Sequence, residues 1–294
     1  MLNTVETSWV EKIKVNQWKQ PESREDWAND LEGGLVLHFE SLPFYLKKSE
    51  QRFLNSRIQH PKVRNISLDA KGTLKGMVGS LEDQKELTKL ILRFRGAAYQ
   101  LVNSAFPCYK EHLKLAPSSF RPNQVETRSQ SICADDKRLH VDAFSTRPNY
   151  GERILRVFLN ANSNGQPRVW RIGESFVDIA RQIAPKIKNY SKVQAKLLHV
   201  LGLTKSLRSE YDHLMLGIHD NMKMSDEYQL TSKQMIYAFA PGAVWMCFSD
   251  QTSHAVISGQ FMFEQTFHLP IASMYRPESS PLLILQRLLK KDLV

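Results

Sequence analysis

A histidine and an aspartate separated by one residue, His140-Val141-Asp142, are the side chains here whose types and spacing best suit metal chemistry. If residues 138–144 are extended, the two-residue period of a strand places both side chains on one face. One imidazole and one carboxylate then converge on a single point. A second histidine would complete the facial set of two histidines and one carboxylate that binds non-haem Fe(II) and leaves coordination positions open.

We predict His254 as that second histidine. It follows a strand, a Pro241-Gly242 turn and a second strand, and another aromatic strand pattern comes after it. In a double-stranded β-helix this is the place of the distal histidine. His213 and His219 are less suitable, because they lie six residues apart in a helical region and so face different ways. Zinc hydrolases use the same ligand types, so the three residues alone leave the metal open.

The open positions on such an iron site would bind 2-oxoglutarate, as co-substrate, and O2. The carboxylate of 2-oxoglutarate that does not touch the iron then needs a cation, and a bidentate arginine binds it best. Many oxygenases of this superfamily carry that arginine soon after the distal histidine, where this chain has Glu264 and Gln265. We therefore predict that Arg156, in the strand pattern RILRVFLN, is the anchor. Arg153, on the opposite face of the same strand, is the alternative.

Positive charge is concentrated near the predicted metal site and exceeds negative charge in the whole chain. Arg121 and Arg128 lie upstream of the histidine–aspartate pair and Arg147 lies just after it. The formal net charge is +10 and the pI is about 9.4. These arginines suit an anionic substrate, although a solvated surface would have the same pattern.

The patterns of the segments that must position these residues predict a mainly β domain with additional helices. Strand patterns occur around the histidine–aspartate pair, at residues 153–162 and 167–172, and again at 235–250 and 258–269. Residues 80–104 have helical periodicity, and capping boxes begin helices within residues 174–228. The fold class we predict is α+β with a mainly β core, a double-stranded β-helix of the jelly-roll or cupin-like type.

We expect one oxygenase domain over residues 1–294. Its parts are an N-terminal α/β flank with a helix (1–117), a β-helix core (118–173 and 231–275), a helical insertion (174–230) and a C-terminal amphipathic helix (281–294). That last helix is basic on one side, so it either docks on the core of the protein or lies on an anionic membrane.

Composition excludes several other classes. The three cysteines are scattered and form neither a disulfide framework nor a zinc motif, which fits a reducing cytoplasm. We see no secretory signal and no apolar run of the ~20 residues that a membrane span needs. No helix-turn-helix, zinc motif or stacking platform supports nucleic-acid binding, in spite of the basic charge.

Three segments of the chain resemble the Kdo hydroxylases, where Kdo is 3-deoxy-D-manno-oct-2-ulosonic acid. They are DDKRLHVDAFSTRPNYGERILRVFLNANSNGQPRVWRIGESF (135–176), SDQTSHAVISGQFMFEQTFHLP (249–270) and LEGGLVLHFESLPFYL (31–46). The resemblance runs over most of the chain. By this match His140, Asp142 and His254 carry over as iron ligands.

The resemblance implies an enzyme of Gram-negative bacteria that uses Fe(II), 2-oxoglutarate and O2 to hydroxylate C3 of Kdo on lipid A. The product would carry D-glycero-D-talo-oct-2-ulosonic acid (Ko). The implied partner is Kdo-lipid A or a related anionic glycolipid, and nucleic acid is not expected. Such an enzyme would be cytoplasmic, with possible peripheral contact at the inner membrane.

Two alternatives remain from the residues themselves. One is a 2-oxoglutarate oxygenase that acts on another substrate, such as protein or nucleic acid. The other is a cupin-like binding module without turnover, in which replacing Asp142 or either histidine would have no functional effect.

Overall fold

Strands that alternate between two apolar faces build a pair of facing β-sheets in the computed structural model, which describes residues 8–127 and 131–294. The strands are β1 (Val10–Ile13), β2 (Val36–Phe39), β3 (Ile66–Leu68), β4 (Leu74–Lys75), β5 (Lys114–Arg121), β6 (Arg153–Asn160), β7 (Arg168–Gly173), β8 (Gln234–Phe239), β9 (Val244–Phe248), β10 (His254–Ser258) and β11 (Met262–Leu269). The large sheet has the order β1-β2-β9-β6-β11-β5-β3-β4, and the small sheet has the order β10-β7-β8.

The two sheets confirm the predicted α+β fold with a double-sheet β core. Neighbouring strands pair antiparallel except β1 and β2, which pair in parallel. The helices are α1 (Glu25–Glu32), α2 (Leu81–Ala105), α3 (Phe176–Ile183), α4 (Lys192–Val200), α5 (Glu210–Met224), α6 (Asp226–Thr231) and α7 (Pro281–Leu289).

Strand β6 shows how the period of two distributes residues between the layers. Leu155, Val157 and Leu159 join the core cluster that contains α1 and α2. Phe158 points the other way, into the cluster between the two sheets with Trp170 of the small sheet. Both faces of β6 are therefore buried, and each residue's parity decides whether it faces helix α2 or the inside of the sandwich.

Serine caps begin helices α2 to α7, and the sequence predicts those of α3 and α4. The Ser80 hydroxyl accepts a hydrogen bond from the backbone N–H of Asp83 at the start of α2, and Ser175 does the same for Asp178 at α3. Helix α5 begins with a complete capping box formed by Ser209 and Asp212. Each cap satisfies a backbone N–H that has no partner within its own helix.

Two expectations about the β regions need correction. The predicted boundary between residues 117 and 118 falls inside β5, and β1 to β4 of the N-terminal flank belong to the large sheet. The segment around His140 is not a strand. It makes a single antiparallel bridge with His254, at the edge of the small sheet. It still supplies the geometry that a strand was expected to give, as described below.

The C-terminal helix α7 docks on the protein itself. Leu282, Ile284 and Leu285 are buried in a cluster with α3 and α5, and Leu293 beyond the helix joins them. The apolar side of α7 is therefore covered by protein and is not free to enter a bilayer. Among the described residues, no helix combines the length and the apolar character that crossing a membrane requires.

The docking of α7 predicts a stability effect. Leu285 is 0% exposed, so Leu285→Ala should lower the free energy of unfolding by about 2–5 kcal/mol through lost burial and the remaining cavity. Leu197→Ala is a matched control, since Leu197 lies on α4 and is 56% exposed. Urea denaturation followed by circular dichroism measures both. Equal stabilities of the two variants would contradict the docked helix.

Candidate metal centre

A reciprocal backbone pair brings the two predicted histidines together. The N–H of His140 donates to the carbonyl of His254 at 3.0 Å, and the N–H of His254 donates to the carbonyl of His140 at 2.9 Å. This is the hydrogen-bonded pair of an antiparallel ladder, so the two side chains project to the same side. The two imidazole centroids are 4.7 Å apart.

Each imidazole is prepared to bind a metal through Nε2. Nδ1 of His140 lies 2.8 Å from the carbonyl of Arg138, and Nδ1 of His254 lies 2.8 Å from that of Thr252. Because a carbonyl only accepts, Nδ1 carries the proton and Nε2 of the neutral ring has a free lone pair. Burial lowers the pKa of both histidines, which keeps them neutral at physiological pH.

Asp142 completes the group. Its backbone N–H donates to the carbonyl of Ser249 at 2.7 Å, which ties it to the chain directly after β9. One ligand atom from each of His140, Asp142 and His254 lies within 4.8 Å of the others. Burial alone would raise the pKa of Asp142, but Arg156 and then His254 lower it, so the carboxylate is ionised. Two neutral imidazoles and one carboxylate fit the facial triad of non-haem iron.

The helical insertion holds the histidine–aspartate segment from the side opposite His254. The Gln229 side chain of α6 accepts from the N–H of Leu139 at 2.8 Å and donates to its carbonyl at 3.0 Å. Nδ1 of His219 on α5 donates to the carbonyl of Val141 at 2.8 Å. Side chains of the insertion thus replace the neighbouring strand that this short segment lacks.

An arginine–glutamate–arginine row crosses the large sheet beside the triad. Glu264 of β11, the central strand of the three, pairs with Arg121 of β5 at 2.8 Å and with Arg156 of β6. Arg156 also lies 2.9 Å from Asp142. Burial alone would raise the pKa of Glu264, but the two guanidinium groups lower it. The row therefore consists of charged groups held in fixed positions.

These groups line one wall of a cavity of about 390 Å³ that also contains the three candidate ligands. Its apolar wall includes Phe158, Trp170 and Met262, and Trp170 stacks on the His254 ring at 5.2 Å. The cationic side chains among its described lining residues are Arg64, Arg121, Arg156, Arg168 and Lys223, and the carboxylates are Asp136, Asp142 and Glu264. Cations therefore outnumber carboxylates around the candidate ligands.

Comparison with known proteins decides the family. The sequence model described as "3-deoxy-D-manno-oct-2-ulosonic acid (Kdo) hydroxylase" matches residues 14–292. The chain belongs to the Kdo hydroxylase family. A comparison with curated proteins gives no match.

Solved structures of a Kdo hydroxylase, KdoO, are similar to this chain in fold and sequence. KdoO is described as a non-haem Fe(II) α-ketoglutarate-dependent dioxygenase, and its complex with α-ketoglutarate and Fe(III) matches at 41% identity and a TM-score of 0.91. The alignment covers 97% of each chain. The complexes of KdoO with cobalt(II) and with succinate and Fe(III) match with the same identity and coverage, at TM-scores of 0.92 and 0.91.

Five arginines are predicted as site residues in this member of the Kdo hydroxylase family. Two of them line the cavity of about 390 Å³, which we call the metal cavity, two do not, and one lies outside the described residues. Arg121 and Arg156 belong to the wall of the metal cavity. Arg147 lies at an adjacent cavity of about 480 Å³, which shares Arg156 and Glu264 with the first. Arg153 is 0% exposed on the α2 side of β6. Arg128 lies outside the described residues.

The alternative prediction, that Arg153 binds the co-substrate, is therefore wrong, because the side chain does not reach the metal cavity. Its guanidinium donates to Asp250 at 2.7 Å and to Gln251 at 2.5 Å, and it lies over the Phe248 ring. The side chain stabilises the chain that leads into β10. It lies on the face of β6 opposite Arg156, because the two residues are three apart in a strand.

Four other lining residues were missed from the sequence: Arg64, Arg168, His219 and Lys223. His219 does not share a helix face with His213, six residues earlier. It does share one with Lys223, four residues later on α5, and that face is turned to the metal cavity. The helical spacing of His219 and Lys223 was the signal in the sequence that could have found them.

The two hydrogen bonds from the Gln229 side chain to the backbone of Leu139, which we call the Gln229 clamp, predict an effect on metal binding. Gln229→Leu removes both hydrogen bonds to Leu139, so the affinity for Fe(II), or for Co(II) as an air-stable probe, should fall about 10- to 100-fold. Calorimetric titration of the metal-free protein measures it. Gln182→Leu on the exposed side of α3 is the control. Unchanged affinity in a folded Gln229→Leu variant would refute the clamp.

Proposed function

We propose that this chain is an Fe(II)- and 2-oxoglutarate-dependent dioxygenase that hydroxylates C3 of Kdo in Kdo-lipid A or a related anionic glycolipid, giving Ko. The observation that carries the proposal is the open-sided group of His140, Asp142 and His254 on the wall of a cationic cavity. The 41% identity to KdoO, over 97% of this chain, gives the substrate class.

Iron bound with 2-oxoglutarate and O2 supplies the oxidising power for hydroxylation of an unactivated C–H bond. The task of the protein is to bind, orient and exclude water. His140, Asp142 and His254 would hold the metal. Trp170, Phe158 and Met262 form an apolar wall that limits the access of water to the same space.

We assign the distal carboxylate of 2-oxoglutarate to Arg156. This guanidinium is held on the metal side of β6, and Glu264 and Asp142 fix its direction. Its Nε is buried and makes no hydrogen bond with any described residue. Glu264, which stands where many related oxygenases carry an arginine, serves here as the counter-charge that positions Arg156 from the neighbouring strand.

The substrate side of the proposal depends on charge. Kdo carries a carboxylate and lipid A carries phosphates, so their recognition requires cations both at the metal and further out. Arg121 lines the metal cavity and Arg147 lies at the adjacent one. We assign Arg121 to the sugar being hydroxylated and Arg147 to more distant anionic groups of the glycolipid.

A lipid-linked substrate would bring the enzyme to the cytoplasmic face of the inner membrane. The buried apolar side of α7 cannot provide the contact, so we assign it to exposed basic residues near the C-terminus, such as Arg287 and Lys290. Co-sedimentation with anionic vesicles, compared between the native chain and a double Gln variant, would support this contact if only the native chain sediments.

The two arginines of β6 should behave differently when replaced. Arg156→Met should raise the KM for 2-oxoglutarate roughly 10- to 100-fold, as expected for a lost charge-assisted hydrogen bond, with metal affinity nearly unchanged. Arg153→Met should lower the free energy of unfolding by about 3–5 kcal/mol, because Asp250 is left buried without its partner, and leave that KM unchanged. A raised KM for 2-oxoglutarate in Arg153→Met, with an unchanged KM in Arg156→Met, would contradict the assignment of Arg156.

The reaction itself is tested by mass spectrometry of Kdo-lipid A after incubation with the protein, Fe(II), 2-oxoglutarate and air. We expect the gain of one oxygen atom with the native chain, none with His140→Ala, and native turnover with His112→Ala, which changes an exposed histidine. Metal-dependent succinate formation without oxygen gain would keep the oxygenase but reject the substrate. No turnover of either kind would favour the cupin-like binding module.

A further inference from the structure

Four of the five cationic residues named at the metal cavity are arginines with partners in the protein. Arg64 pairs with Asp136, Arg121 with Asp136 and Glu264, and Arg156 with Asp142 and Glu264. Arg168 donates to the carbonyl of Gly259. Lys223 is the one lysine among these five residues, and its ammonium is a compact charge with three N–H donors.

Among the described residues, the buried Lys223 ammonium makes one hydrogen bond and has no carboxylate partner. It donates to the carbonyl of Cys133 at 3.0 Å, and no carboxylate oxygen of the described residues lies within 4.0 Å of Nζ. The residue is only 2% exposed. An ammonium has three N–H donors, and a buried charge without a counter-ion is costly. Burial accordingly lowers the pKa of Lys223, an effect that Asp136 opposes.

The position of Lys223 is fixed by the histidine–aspartate segment itself. Arg138, two residues before His140, donates through Nε to the backbone carbonyl of Lys223 and pairs with Asp226 at the start of α6. One helical turn earlier, the His219 ring lies 5.2 Å from the His140 ring. The ammonium is therefore held at the same cavity as the candidate metal ligands by a helix that is tied to them.

The chemistry of Kdo places its carboxylate close to the reacting carbon. C1, the carboxylate carbon, and C3, the carbon to be hydroxylated, are both bonded to C2. With C–C bonds of about 1.5 Å, the two atoms are roughly 2.5 Å apart. When C3 faces the metal, the group that binds the carboxylate must therefore line the metal cavity and cannot lie on a distant surface.

We propose that Lys223 is a specificity-determining residue that binds the sugar carboxylate adjacent to the carbon that is hydroxylated. The assignment rests on the proposed function. Lys223 has N–H donors but no carboxylate oxygen of the described residues within 4.0 Å, whereas Arg121 and Arg156 both pair with Glu264. Arg156 is in addition assigned to 2-oxoglutarate, and Arg121 is left to the rest of the sugar. The sugar carboxylate supplies a counter-ion in direct contact, which no described carboxylate within 4.0 Å of Nζ provides, so sugars without this group bind less well.

The test compares two neutral variants that differ in one hydrogen bond. Lys223→Met removes the charge and the bond to the Cys133 carbonyl, whereas Lys223→Gln removes the charge but retains an N–H donor. We expect both to raise the KM for Kdo-lipid A roughly 10- to 100-fold, as for the loss of a charge-assisted hydrogen bond. The KM for 2-oxoglutarate should stay within about twofold of the native value. Lys196→Met, at an exposed site on α4, is the control.

A modified substrate isolates the carboxylate. With the native chain, Kdo-lipid A in which this carboxylate is converted to its carboxamide should show a KM raised by the same factor. With Lys223→Met or Lys223→Gln, acid and amide should be nearly equivalent. Binding of the methyl glycoside of Kdo to the metal-free protein, followed by ligand-observed NMR, gives the same comparison without turnover.

The outcomes separate this assignment from the proposed function. If the native chain does not oxidise Kdo-lipid A, the proposed function fails and this inference fails with it. If the native chain is active and Lys223→Gln restores the native KM, the lysine only supports the Cys133 carbonyl and the assignment is overturned. Undiminished preference for the acid over the amide in either neutral variant would also overturn it.

Discussion

The metal centre depends on one backbone pair, the reciprocal hydrogen bonds between His140 and His254. Two residues that exchange both bonds across an antiparallel bridge must project their side chains to the same side, and this fixes two ligands relative to each other before any metal binds. The Nδ1 bonds to nearby carbonyls then direct Nε2 of each ring into the shared space. Asp142 follows by the two-residue period and by its own bond to Ser249. Preorganisation of this kind reduces the ordering that metal binding would otherwise require.

The strand period also places two arginines of one strand in different surroundings. Arg153 and Arg156 both carry buried guanidinium groups on β6, but they face different layers. Arg153 stabilises the packing beside α2 with Asp250, while Arg156 meets Asp142 and Glu264 inside the sandwich. Because the register pairs Glu264 with Phe158 and Thr266 with Arg156, the glutamate lies diagonally across from the arginine and can reach it. A shift of the register by one residue would turn Glu264 towards α2 and remove the row.

Much of the fold could be predicted from the sequence, because it depends on short periods. The serine caps of α3 and α4 and the strands β6 to β9 are local features, and the structure confirms them. His140, Asp142 and His254 lie together as expected, and their role as metal ligands stays a prediction. The assignment of Arg156 to 2-oxoglutarate stays a prediction. The spacing of His219 and Lys223 places them on one helix face, but the direction of that face depends on how the insertion packs on the sheet, which no local pattern encodes. The segment around His140 forms a single bridge in place of the predicted strand, because the backbone of the neighbouring Leu139 bonds the side chain of Gln229 from a distant helix.

The helical insertion therefore links the ligand set to substrate recognition. Gln229 and His219 hold the backbone on both sides of His140, and Arg138 joins that segment to the carbonyl of Lys223. A displacement of α5 would move the ammonium and loosen the histidine–aspartate segment together, since they share these bonds.

The charges of the cavity also favour joint binding of the co-substrate and the sugar. Its cationic excess would be increased by a divalent metal and offset by two anions, the dicarboxylate co-substrate and the sugar acid. A site with this balance has least charge to neutralise when both organic ligands are present, which favours their joint binding over that of either alone.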